Sequence, residues 1–274
     1  MRALICLLAL TAVAVADPAK PASTARWESF PGPTTAPAVR SGEAFVVAPI
    51  SSWQGAMSFM LAPVVEAKPD AVIVEAPLSK VEVPGAFVGP VLAPAKVAVG
   101  DYVQFPQKAS LALYIGRVDA VTDAGYTVAY EFIHDLAYLK GTVDVPANRV
   151  LPLDGKLSFG QPVSFVISGK PALAWYVGPG RKKGTSWVLD VGRPFEEPSV
   201  KPLTIATFNK GDKVIAAFGT TTMTGSKHPP PRQYLVKGTI VEVYTGGMKY
   251  GVREDEGPGK GDVIPLYAGE VFAR

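Results

Sequence analysis

The sequence contains one cysteine and two histidines among its 274 residues. A single cysteine excludes a disulfide scaffold and a metal site built from several cysteines. The formal net charge is only +3, which is too small to indicate nucleic-acid binding by itself. After the first residues, no apolar run is long enough to cross a bilayer, and no segment keeps the 3.6-residue apolar period of a helix. The chain is therefore expected to contain little helix.

Apolar residues and turn residues are both plentiful. Hydrophobic residues make up 48% of the chain and charged residues 19%, which is enough apolar material for folded cores and excludes general disorder. The 27 glycines and 26 prolines exceed the usual share but do not reach that of low-complexity chains. They predict many turns between short elements.

The usual hydrolase signatures are absent from the sequence. No H-E-x-x-H or G-x-S-x-G motif occurs. His134, next to Asp135, is a candidate base or metal ligand, or it is simply a loop histidine. His228 precedes three prolines, which indicates a loop. The segment 178–185 resembles a phosphate loop but has its lysines before the last glycine rather than after it. We therefore expect no catalytic residue, no metal site and no cofactor, with an enzyme of unrecognised site as a remote alternative.

The first 41 residues divide into a targeting signal and a linker. Residues 1–16 have Arg2 at the start, an apolar run that includes Cys6, and small residues at Ala14 and Ala16. This pattern is typical of a secretory signal peptide cleaved after Ala16, so the protein is expected to be exported, periplasmic or extracellular. Residues 17–41 are rich in proline and alanine and are expected to form an extended linker. Trp27 and Phe30 in this linker either dock on the folded part or make contacts elsewhere.

The remaining chain repeats one pattern. Each of four segments begins with a turn glycine followed by an apolar strand, at Gly42, Gly100, Gly160 and Gly211. A pair of apolar runs around a turn follows in each, which predicts a β-hairpin. The segments close on a short strand marked by proline, and the endings 81–88 and 143–150 match best. These similarities indicate repeats of one small β-unit, with the third the most degenerate.

A family resemblance rests on the second segment. Gly100-Asp101-x-Val103, residues 114–118, residues 126–130 and the ending 145–150 resemble a small SH3-like or Tudor-like β-barrel. The resemblance covers residues 42–274, is best in 98–153 and 209–274, and implies a one-turn helix before the last strand. The resemblance predicts a fold but not an activity. The expected organisation is all-β, with four tandem SH3-like barrels after the signal and linker, at residues 42–97, 98–153, 154–208 and 209–274.

Aromatic and basic side chains are the candidate binding residues. Barrels of these families can use aromatic side chains to hold a methylated cation or a proline-rich peptide, although the same alternation also suits a barrel core. The methylated-cation role is not carried over, because chromatin ligands do not suit an exported protein. The aromatic candidates are Tyr114, Tyr126, Tyr130 and Phe132 in the second segment and Trp175, Tyr176 and Trp187 in the third. Of these, Tyr114, Tyr130, Trp175 and Trp187 are the residues expected to bind. Arg181, Lys182 and Lys183 form a basic hairpin tip that suits an anionic partner. Residues 220–232 form a polar insertion that is either a contact loop or only a long loop.

These observations favour an exported, non-enzymatic binding or scaffold protein of bacterial type. Its expected partner is an envelope or extracellular protein. The alternative is a cell-wall module that binds peptidoglycan through aromatic and basic loop residues. Neither a nucleic acid nor a spanning segment in the mature chain is expected.

Overall fold

The computed structural model of the protein describes residues 42–49, 57–77, 79–89, 96–106, 111–134, 137–218 and 233–274. The expected signal peptide at 1–16, the linker at 17–41 and the insertion at 220–232, which includes His228, lie outside the described residues.

Strands dominate the described chain, and they pair in antiparallel fashion throughout. Among the described residues the longest helical segment has three residues. The prediction of an all-β chain is therefore confirmed.

The strands form four consecutive groups, which we call the first to fourth units. The first unit contains β1–β4, at Glu43–Pro49, Met57–Ala67, Ala71–Glu75 and Lys80–Pro84. The second contains β5–β9, at Tyr102–Pro106, Leu113–Thr122, Gly125–His134, Ala137–Pro146 and Leu151–Pro152. The third contains β10–β14, at Pro162–Ile167, Lys170–Pro179, Thr185–Asp190, Arg193–Pro198 and Lys201–Pro202. The fourth contains β15–β19, at Lys213–Phe218, Tyr234–Val243, Lys249–Glu254, Val263–Tyr267 and Val271–Ala273.

Every unit has the same strand order. The first four strands follow one another as a meander, and the fifth strand pairs with the first. In the second unit this order is β9–β5–β6–β7–β8, and the third and fourth units repeat it. In the first unit an isolated bridge between Val88 and Val46 takes the place of the fifth strand. One-turn helices precede the fifth position in the first, second and fourth units, at Gly85–Phe87, Ala147–Arg149 and Ala268–Glu270.

The second strand of each unit contains a β-bulge. The bulges lie at Val64–Glu66, Val118–Ala120, Tyr176–Gly178 and Ile240–Glu242. A bulge bends a strand and increases its twist, so one half of the strand pairs with the first strand and the other half with the third. The sheets nevertheless remain open, because the fourth and fifth strands of a unit do not pair in the described residues. The closed barrel expected from the sequence is thus corrected to an open, bent sheet, since fifth strands of two or three residues are too short to close it.

The glycine that opens each unit has a left-handed backbone. The φ angles are 92°, 96°, 80° and 99° at Gly42, Gly100, Gly160 and Gly211. This conformation costs glycine little because it has no Cβ. In the second unit the Asp101 carboxylate accepts the Ala98 amide at 2.8 Å, and in the fourth Asp212 accepts the Asn209 amide at 2.7 Å. The turn glycines recognised in the sequence therefore share one local structure.

The first and third units share a hydrophobic core. Phe59 packs edge-on against Phe159, with ring centroids 5.0 Å apart, and Phe87 lies 5.7 Å from Trp187. The Met57 amide also donates to the Gly192 carbonyl at 2.8 Å. Burying aromatic rings across this junction stabilises both units at once, because neither covers its own core alone.

The second unit contacts the other three. Toward the first unit, the Leu61 amide donates to the Leu111 carbonyl at 2.9 Å. Toward the third, Gln104 Nε2 donates to the Gly160 carbonyl at 2.8 Å. Toward the fourth, the Tyr102 hydroxyl donates to the Gly247 carbonyl at 3.1 Å, deep in a shared core.

The third and fourth units are joined by strand pairing. Ala172 of β11 pairs with Tyr234 of β16, and the Leu173 amide donates to the Gln233 carbonyl at 2.9 Å. These contacts make one continuous sheet across the junction. The units therefore pack as one cluster and are not separate beads on a chain.

Candidate binding surface

Four aromatic side chains of the second unit form a row from its core to its surface. Phe105 is fully buried, and its ring centroid lies 5.9 Å from that of Tyr130. Tyr130 lies 5.5 Å from Phe132, which stacks on Tyr114 at 4.4 Å with an interplanar angle of 11°. Tyr114, Tyr130 and Phe132 are partly exposed. We call these four side chains the aromatic row.

Strand geometry builds the aromatic row. Tyr130 and Phe132 are two residues apart on β7 and so project from the same face. Tyr114 of β6 lies opposite Phe105 of β5 in the strand register. Tyr130 extends over Gly141 of β8, where an added Cβ would lie 3.0 Å from its hydroxyl oxygen. The glycine thus leaves room for the ring against the neighbouring strand.

The sequence-predicted candidates Tyr114 and Tyr130 are brought together by this row. Their link is Phe132, which is also one of the aromatic candidates of the second segment. The arrangement leaves a partly exposed aromatic surface backed by a buried ring.

The opposite face of the β7–β8 hairpin carries a buried carboxylate. Glu131 is only 5% exposed. Its Oε1 accepts a hydrogen bond from the Tyr138 hydroxyl at 2.8 Å, and the Lys140 Nζ lies 3.6 Å from its Oε2. The bond to the carboxylate raises the pKa of Tyr138 above its ordinary value. The charge of Glu131 is therefore paired within the hairpin.

The basic tip lies between β11 and β12. Arg181 Nε donates to Glu196 Oε2 at 3.2 Å, and its guanidinium carbon lies 5.4 Å from the Trp187 ring centroid. The Lys182 backbone amide donates to Glu196 Oε1 at 2.9 Å. This amide, the Thr185 hydroxyl and Arg181 lower the pKa of Glu196 to about 2. Arg181 is thus held against the hairpin, whereas Lys182 and Lys183 are exposed and form no ion pair within the described residues.

The two tryptophans belong to the core shared by the first and third units. Trp187 is 1% exposed, and Trp175 is partly buried against the same core. The sequence left open whether these rings were core or binding surface. For Trp187 the structure corrects the binding assignment, because Phe87 of the first unit covers its ring. A ligand could reach Trp175 only at its exposed part.

Sequence reasoning missed a second aromatic group, in the fourth unit. The Lys249 Nζ lies 5.2 Å from the Tyr244 ring centroid and 5.5 Å from that of Tyr267. Nearby, Glu270 accepts the Tyr267 amide at 2.9 Å and Gln233 Nε2 at 3.3 Å. Burial raises the pKa of Glu270 to about 7. No local pattern predicted this group, because its members come from different strands and a one-turn helix.

His134 is the other chemically reactive candidate in the described chain. His134 is the last residue of β7 and does not lie in the expected loop. Within the described ranges, no three His, Cys, Asp or Glu side chains are grouped to hold a metal ion. Nor does any helix there have the length and apolar character needed to cross a membrane. Comparison of the chain with models of known protein families and with curated proteins finds no match.

Proposed function

We propose that this protein is an exported, non-enzymatic binding or scaffold protein whose four SH3-like units form one platform for a protein partner. The strand order repeated in every unit, with a one-turn helix before the fifth position in three of them, supports the SH3-like assignment. The aromatic row is the observation that carries the binding role.

The aromatic row has the properties of a protein-binding anchor. Tyrosine and phenylalanine are enriched at the centres of interfaces, because their rings offer much contact area for few rotatable bonds. Phe105 and Gly141 already fix the orientation of Tyr130, and Phe132 fixes that of Tyr114 through the stack. A partner that covers these rings therefore pays little side-chain entropy.

Packing between the units supports a scaffold role. The units share cores and hydrogen bonds, so surfaces on different units keep fixed positions relative to one another. A rigid arrangement binds a large partner with less ordering cost than flexibly linked modules. Each unit then contributes surface to one platform.

Photocrosslinking tests the proposed role. A photoreactive amino acid replaces Tyr114 in the full chain, and a matched chain carries it at Val166 of the third unit, which is 66% exposed. We expect discrete protein adducts in the native envelope from position 114 and none of the same mass from position 166. Equal adduct patterns at the two positions, or no adduct at 114, would contradict a partner site at the aromatic row.

A cell-wall polymer is the second candidate ligand, favoured by the exposed Lys182 and Lys183. The test is co-sedimentation of the exported chain with purified sacculi at low and high salt. Pelleting that persists at high salt would replace the protein partner with a wall ligand. Pelleting that salt abolishes indicates only surface electrostatics, which are screened at high ionic strength.

A further inference from the structure

The outer strand of the second unit differs from its counterparts. In each unit the fourth strand lies at the outer edge of the meander. β4, β13 and β18 contain five, six and five residues, whereas β8 contains ten. Proline interrupts β13 and β18, but the single proline of β8 is its last residue, Pro146. Short strands and prolines are common devices against edge-to-edge pairing, whereas β8 is long and has no proline before its last residue.

The outer edge of β8 has no strand beside it in the described chain. β7 covers the other edge along the full length, from the pair Gly125–Pro146 to the pair His134–Ala137. The Gly125 amide donates to Thr122 Oγ1, toward β6. Because backbone direction alternates along a strand, Pro146 and every second residue before it direct their backbone groups to the open edge.

We propose that β8 pairs antiparallel with β8 of a second copy of this chain, about a two-fold axis at Thr142. This register places Lys140 opposite Asp144 of the second copy. By symmetry, Asp144 then lies opposite Lys140 of the second copy. It also places Thr142 opposite Thr142, and Tyr138, which is 54% exposed, opposite Pro146. Opposite charges, threonine pairs and aromatic contacts across strands all stabilise a sheet.

Charge selects this register over its neighbours. An axis at Lys140 would oppose two lysines, and an axis at Asp144 would oppose two aspartates. An axis at Gly141 would place Lys140 opposite Thr142 and lose both ion pairs. Like charges directly opposite one another destabilise strand pairing. The strand is therefore complementary to itself in one register, which favours a second copy over an unrelated peptide.

Contacts within each copy place the two charged side chains on one face of the hairpin. Lys140 lies 3.6 Å from Glu131, and Thr127 Oγ1 donates to Asp144 Oδ1 at 2.7 Å. Both partners belong to β7, so Lys140 and Asp144 lie on the same face of the hairpin, the face on which they would also be directly opposite each other across the new strand pair. Pairing would join the two hairpins into one continuous sheet, as in isologous dimers.

Sedimentation velocity of the full chain over a wide concentration range tests the proposal. We expect a reversible monomer–dimer equilibrium. Asp144→Lys places two lysines opposite each other at two sites and should raise the dissociation constant about tenfold or more. Asp119→Lys makes the same charge change at an exposed position of β6 and should leave the equilibrium unchanged.

A second variant tests the strand pairing itself. Thr142→Pro removes an outward amide at the proposed axis without removing a bond to β7, and should yield a folded monomer. Circular dichroism and thermal melting confirm that each variant is folded. A wild-type chain that stays monomeric at all concentrations would overturn the proposal. The proposal would also fail if the monomer bound an extended peptide at this edge and did not dimerise. Equal dimerisation by the Asp144→Lys and Asp119→Lys variants would overturn it as well.

Discussion

Among single residues, the aromatic side chains show most clearly how far burial and exposure can be predicted from the sequence. Tyr114 and Trp187 both stand in strands bounded by turns, so their local patterns are alike. Tyr114 remains partly exposed although Phe132 stacks on it, whereas Trp187 is buried against Phe87, a residue of another unit. The difference arises from packing between distant segments, and no local pattern contains that information.

Glu270 provides a test by pH. Its folded-state pKa is about 7, against an ordinary value of 4.5, because burial disfavours the charged form. The folded protein therefore retains this proton to higher pH than the unfolded chain does, and stability falls as pH rises through this window. Glu270→Gln, which stays neutral, should melt higher than the wild type at about pH 8 and at nearly the same temperature at about pH 4.

The control for this test is a carboxylate with the opposite shift. The pKa of Glu196 is lowered to about 2, so it is ionised in the folded protein at both pH values. Glu196→Gln should lose stability at about pH 8 and not gain it. If the melting temperatures of Glu270→Gln and the wild type differed by the same amount at both pH values, the effect of the substitution would not come from the ionisation of Glu270.

Among the strands, the sequence predicted the hairpins better than the sheet edges. The four turn glycines and the paired apolar runs correspond to observed turns and strands, because their φ angles and alternation are local properties. The first half of β8 was missed, since Lys140 and Gly141 interrupt its apolar alternation. The bulges in the second strands were also missed, because each depends on pairing with two different neighbours.

The basic hairpin tip gives a prediction for an element. If the tip were only a basic surface, neutralising Arg181, Lys182 and Lys183 would leave the melting temperature unchanged. In the structure Arg181 has a different role from the two lysines, because it contacts both Glu196 and the Trp187 ring. Arg181→Gln should lower the melting temperature by about 2 °C, while Lys182→Gln with Lys183→Gln should leave it unchanged within error. A larger loss in the double lysine variant, measured by thermal melting, would contradict this division of roles.

For the molecule as a whole, the relation between the units could not be predicted from the sequence. The joints between the predicted units are short, at residues 153–156 and 209–210. Short joints suit a rigid rod as well as a cluster, and composition does not distinguish the two. The units form a cluster because residues such as Phe159 and Tyr102 each pack into the core of a unit other than their own. Because small β-units have marginal cores, this sharing is what gives each one enough buried apolar area.

The central claim is that these units form one cooperative platform, and differential scanning calorimetry of the full chain tests it most directly. Since one core joins the first and third units and another joins the second, third and fourth, opening any unit exposes apolar surface of its neighbours. The account predicts a single transition whose calorimetric and van't Hoff enthalpies agree. Two or more separate transitions, with a calorimetric enthalpy well above the van't Hoff value, would show that the units unfold independently and would contradict it.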